Sequence, residues 1–152
     1  MASWLRCNKT RFGSAAAGYG AGRMANRIVL TPNPGSVAVA RRWTTDQTNQ
    51  LGFSDLAETA ALLVSELVTN AVLHAETECE LTVRAHRGGI RVEVIDGSDE
   101  FPVGAVDPDP LALSGRGMLL VDALSSAHGS AAVPGGGKLV WFEIENLAEQ
   151  PQ

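Results

Sequence analysis

Glu66, Asn70 and His74 stand four residues apart in the stretch Glu66-Leu67-Val68-Thr69-Asn70-Ala71-Val72-Leu73-His74, which is otherwise mostly apolar. In a helix that spacing lines up a carboxylate, a carboxamide and an imidazole on one face. Such a row can polarise a hydroxyl, offer a hard oxygen to a cation and touch an anion, whereas burying the three groups without partners would cost free energy. A metal-bound nucleotide answers all three. Asp96-Gly97 adds a carboxylate able to accept from a purine amino group, with a glycine that lets the base approach the backbone. Gly115-Arg116-Gly117 opens an apolar helical run, where bare N–H groups and the helix dipole favour phosphate. Each feature alone has a plainer reading, as the wet face of an amphipathic helix, a turn or a loop. With no second His, Cys or acid at ligand spacing, His74 reads as a structural contact or a phosphate neighbour.

The elements that must position these groups follow from periodicity. Residues 27–30 predict a short strand, closed by Thr31-Pro32-Asn33-Pro34-Gly35. A helix capped by Ser36 comes next, with Val37, Val39, Ala40, Trp43 and Thr44 inward, ending near Gly52. Asp55 and Glu58 form a capping-box pattern that starts a second helix over 56–75. Ala57, Ala60, Ala61, Val64, Leu67, Val68, Ala71, Val72 and Ala75 fill its inner half, and the polar row runs along the border. Alternation over 81–85 and 90–95 around Arg87-Gly88-Gly89 predicts an antiparallel hairpin. The proline-rich, acidic stretch 99–113 is a loop long enough to serve as a lid. A helix from Gly115 through Leu124 and a hairpin joining 131–133 to 139–144 complete the order βααββαββ. That order implies an α+β two-layer sandwich: a mixed, largely antiparallel sheet of about five strands with three helices on one face.

A chain of 152 residues supplies one core without help from disulfides or metals. Cys7 and Cys79 form neither a disulfide framework nor a zinc spacing, so both read as free thiols of a reducing cytoplasm. Residues 1–27 hold five of the twelve basic residues and no acid, leaving seven basic against all seventeen acidic residues. So acidic a body argues against binding nucleic acid through its phosphates. The Gly/Ala segment 13–22 is too weakly apolar for a signal-peptide core, and no run of the sequence approaches the ~20 apolar residues of a membrane span. The expected organisation is a basic leader over 1–26, a domain over 27–146 and a tail over 147–152. Met24 marks an alternative start for the chain, and a disordered tail fits the leader equally well.

Four blocks in this order and spacing carry a resemblance: Glu66-x-x-x-Asn70-Ala71-x-x-His74-Ala75, Val92 to Ser98, Ser114 to Val121, and Gly137-Lys138-x-Val140-Trp141-Phe142-Glu143. Together they resemble the histidine-kinase/Hsp90-like ATPase (GHKL) superfamily, and within it the anti-sigma-factor serine/threonine kinase branch of small actinobacterial ATP-binding proteins. The resemblance covers residues 28–145 and implies that ATP and Mg2+ are the cofactors. It assigns Asn70 to the Mg2+ site, Glu66 to the catalytic base and Asp96 with Gly97 to the adenine contact. Gly115, Gly117 and Met118 fall at the phosphate-binding lid hinge, with Arg116 and His74 near the phosphates. The implied partners are a sigma factor and an anti-anti-sigma antagonist, with neither nucleic acid nor membrane, and relatives of this type commonly pair as homodimers. A noncatalytic module that uses ATP to fix its shape for grasping a partner is the alternative. Two departures stand out: Asp96-Gly97-Ser98-Asp99-Glu100 lacks the last two glycines of Asp-x-Gly-x-Gly, and Leu139 stands where relatives often carry a threonine near the base.

Two further motifs are discounted. Gly135-Gly136-Gly137-Lys138 lacks the upstream glycine and the following Ser or Thr of a P-loop and reads as a hairpin turn. Met118, Leu119, Leu120 and Val121 read as core rather than as a partner-binding stripe.

Overall fold

The computed structural model describes residues 26–98 and 113–146, with backbone alone at 74, 75 and 113–118. The expected leader up to residue 25, the lid up to residue 112 and the tail lie outside the described residues. Strand β1 (Asn26–Leu30) leads to helix α1 (Gly35–Gln50), and a 3-10 turn (Ser54–Leu56) leads to α2 (Ala57–Asn70), which continues as a π-helical turn (Ala71–Ala75). Strands β2 (Cys79–His86) and β3 (Gly89–Asp96) form a hairpin, followed by α3 (Leu113–Leu124), β4 (Ala127–Ala132) and β5 (Lys138–Glu145). The sheet order is β1-β2-β3-β5-β4. Every described pairing is antiparallel, so the mixed component of the expected sheet does not occur among them. Short reversals account for the β2–β3 and β4–β5 hairpins, whereas β1–β2 and β3–β5 are antiparallel across long helical connections.

One core lies between the sheet and the helices. Leu63, Val64 and Val68 of α2 pack with Leu81, Val83, Ile90, Val92, Val94 and Phe142 of the strands. Alternate strand residues face away from the helices, where Ile95, Val133 and Leu139 form a smaller cluster against Trp141. Ser65, absent from the expected inner half, is buried because α1 crosses α2 there: its hydroxyl donates to the Ala61 carbonyl (2.8 Å) and accepts from an Arg41 guanidinium N–H (2.9 Å). Because α2 is covered from two sides, the stretch Ser54–Leu73 has the length and hydropathy of a membrane span, contrary to the sequence reading. More than half of it is buried within the fold, as a core helix is.

Local details depart from the sequence reading in identifiable ways. Neither expected side-chain cap forms. Ser36 lies inside the first turn of α1 and donates to the Thr31 carbonyl (2.7 Å), while Asp55 sits within the 3-10 turn rather than at its boundary. A cap needs nonhelical backbone, which Asp55 does not have. On α1 the buried residues are Ser36, Ala40, Thr44, Gln47 and Thr48, and Val39 is exposed. Strand β4 begins four residues earlier than expected and stops before Val133.

Candidate functional site

The C-terminal end of β3 meets the exit of α2 and the start of β5. Glu76, at φ 54°, ends the π-helical turn, and Thr77 then accepts a hydrogen bond from the Gly97 N–H to its Oγ1 (3.0 Å). A Cβ on Gly97 would lie 2.9 Å from that oxygen, so the contact requires glycine. Across the sheet, cross-strand pairing aligns Cys79, Asp96, Lys138 and Ala132 in one row. Asp96 lies two residues beyond core-facing Val94 and so shares its side of the sheet.

The Asp96 carboxylate is almost fully buried and tied down. Lys138 Nζ donates to Oδ1 (3.0 Å) and pairs with Oδ2 (2.9 Å), and the Ser98 N–H donates to Oδ1 (2.8 Å). Both side chains of the ion pair are 3% exposed. Gly137 makes the register possible: its φ is +94° and an added Cβ would meet the Asp96 carbonyl oxygen at 2.3 Å. Burial, and then the Asp96 charge, push the neighbouring Cys79 thiol from its ordinary 9.0 up to about 11. The thiol is therefore neutral and unreactive.

Lys138 and Thr77 were missed by the sequence reading, which quoted Lys138 within a resemblance block and a discounted P-loop but gave it no role. Leu139, which stands where relatives often carry a threonine, pairs with Ile95 in the outer cluster, so its side chain faces away from Asp96. Lys138 is the β5 residue beside the carboxylate. Only the strand register, closed by the Gly135-Gly136-Gly137 turn, could have revealed this.

Glu66 and Asn70 sit one turn apart on α2, as the spacing predicts, and both are half-buried. Neither has a hydrogen-bonding or ionic partner among the described residues. His74 falls in the π-helical turn, which advances less per residue than an α-helix, so its backbone departs from the straight row. Gly115, Arg116, Gly117 and Met118 lie within α3, whose start at Leu113 precedes the expected one by two residues. Gly115 keeps a first-turn N–H group, whereas the Arg116 N–H already makes the first helical bond and Gly117 lies beyond that turn. Helix α3 packs against α2 and places Val121 in the core.

Cavities open beside the sheet end and between the first two helices. One of about 420 Å3 is lined by Val29, Thr77, Glu80, Ile95, Asp96 and Gly136, and another of about 650 Å3 lies between α1 and α2 beside Arg41, Arg42, Asp46 and Glu58. Neither joins Asn70 to Asp96. Among the described residues no three His, Cys, Asp or Glu side chains gather at a cation-binding spacing. A lone protein oxygen suits a cation that completes its shell with phosphate and water, as Mg2+ does. The free Asn70 carbonyl suits that role.

The family description "Histidine kinase-like ATPase domain" matches this chain over residues 30–144. Among solved structures the chain is similar to the histidine kinase domain from the Erythrobacter litoralis EL346 blue-light activated histidine kinase. Identity is 19%, covering 93% of this chain and 84% of that chain, with a TM-score of 0.48. No curated protein matches in sequence.

Proposed function

The chain belongs to the histidine kinase-like ATPase family, and on that premise we propose that it is a cytoplasmic ATP- and Mg2+-binding regulator of the anti-sigma-factor type. It transfers the γ-phosphoryl group of ATP to a serine or threonine of an antagonist protein. The observation that carries this reading is the pair Glu66 and Asn70, half-buried on a core helix and without partners among the described residues. Both keep part of their surface open to water, so they are available to a ligand rather than committed to the fold.

In this mechanism Asp96 accepts from the adenine amino group, and Asn70 holds the cation, which when bound neutralises charge on the phosphates. Glu66 takes the proton of the acceptor hydroxyl as its oxygen bonds to the γ-phosphorus. The bridging β–γ bond breaks with its electron pair leaving on ADP. The first-turn N–H group of α3 at Gly115 offsets charge on the moving phosphoryl group. By the family resemblance His74 and Met118 are assigned to the same nucleotide.

Calorimetric titration with ATP and Mg2+ tests the site. Binding by the parent that is lost in Asn70→Ala supports it, and no heat from the parent removes it. The Glu66→Gln protein should bind ATP yet transfer no phosphate to a candidate antagonist. Binding without transfer by the parent as well would leave a noncatalytic module.

A further inference from the structure

The ammonium of Lys138 carries three N–H donors. Two are spent on Oδ1 and Oδ2 of Asp96, and the third has no partner among the described residues, although the side chain is only 3% exposed. A charged donor left over in so dry a place is unfavourable until an acceptor meets it. Beside it stands a carboxylate fixed at three points, an acceptor that cannot turn away. Acceptor and donor thus lie side by side at the end of the sheet, held in register by the close approach of Gly137 to the Asp96 carbonyl.

We propose that Lys138 is a second base-reading residue, donating its spare N–H to a ring nitrogen beside the 6-amino group of a purine while Asp96 accepts from that amino group. This rests on the reading of Asp96 as the adenine acceptor. Adenine presents an amino donor flanked by ring acceptors N1 and N7, which matches the side-by-side pair. Inosine carries a carbonyl at position 6 and offers Asp96 no amino donor. The pair therefore selects 6-aminopurine nucleotides through two coupled contacts, one of them to a charged donor.

The test uses the parent protein, with calorimetric titration of ATP, 1-deaza-ATP, 7-deaza-ATP and ITP in Mg2+. One deaza analogue should bind about 10- to 100-fold more weakly than ATP, the size of a lost hydrogen bond to a charged group. ITP should also bind more weakly. If ATP binds and both deaza analogues bind equally well, the inference about Lys138 falls while the nucleotide site stands. If ATP itself does not bind, the reading of the site falls first and takes this with it. The double variant Lys138→Met with Asp96→Asn, which removes both charges together, should bind ATP more weakly and lose the preference among analogues. A preference retained there overturns the proposal, and the parent series decides the matter if that variant fails to fold.

Discussion

The strand end around Asp96 and the helix row at Glu66 and Asn70 are built on opposite principles. At the strand end the carboxylate, its lysine, the following N–H groups and Thr77 are tied to one another. On α2 the carboxylate and the amide have no partners among the described residues. The first region is preorganised and contributes to the stability of the empty fold. The second contributes little until something binds. Recognition of a base calls for fixed geometry, whereas groups that handle a cation and a moving proton must be free to engage them.

The contrast breaks most readily at the ion pair. Lys138→Met leaves Asp96 buried and uncompensated, and should lower unfolding free energy by about 3–5 kcal/mol, read as the urea midpoint, with Asp96→Asn in the same chain recovering much of it. A single variant as stable as the parent would show that the pair does not hold the strand end. Next, Gly137→Ala must place a Cβ at φ +94° and against the Asp96 carbonyl, which should cost about 1–3 kcal/mol without touching any charge. Glu66→Gln and Asn70→Ala should stay within about 0.5 kcal/mol of the parent when no ligand is present. Losses above 1 kcal/mol would mean that the row is structural after all.

The smallest effects are in the pH dependence. Cys79 stays protonated in the fold where the unfolded chain has lost its proton, so stability should fall as pH rises from 9.0 towards about 11, and Cys79→Ala should flatten that limb. On the open face, partial burial lowers His86 below its ordinary 6.5, with Glu143 opposing and Arg84, Arg91 and Arg87 reinforcing the shift. The unfolded chain then binds a proton that the fold refuses, so some stability should be lost as pH drops below 6.5. Replacing His86 by Gln should remove that loss. A denaturation series across pH checks both limbs.

How much of this was legible depends on distance along the chain. Alternation revealed β2, β3 and β5, and apolar spacing revealed α2, because those signals are local and repeat several times. The face of α1 was only partly legible: Ala40 and Thr44 are buried as expected, but Val39 is exposed, Thr48 is buried and Gln47 pairs with Asn26, and polar groups carry little periodic signal. The π-helical turn beneath His74 left no trace in composition. Of the proposed site residues, Glu66, Asn70 and Asp96 were singled out by side-chain chemistry and by their order along the chain. Lys138 was not, because its meaning comes from a cross-strand register spanning 42 residues that three glycines at positive φ make possible.

That register has a consequence for how the molecule is made. The sheet order places β5, the last strand in the sequence, between β3 and β4, with Phe142 sealed at its centre. While the ribosome is still extending the chain, β3 remains an unpaired border with its hydrogen-bonding groups exposed, and β4 has nothing to join. Final assembly is thus deferred until synthesis passes residue 145, and nascent chains stalled before that point should be the ones that chaperones and proteases capture.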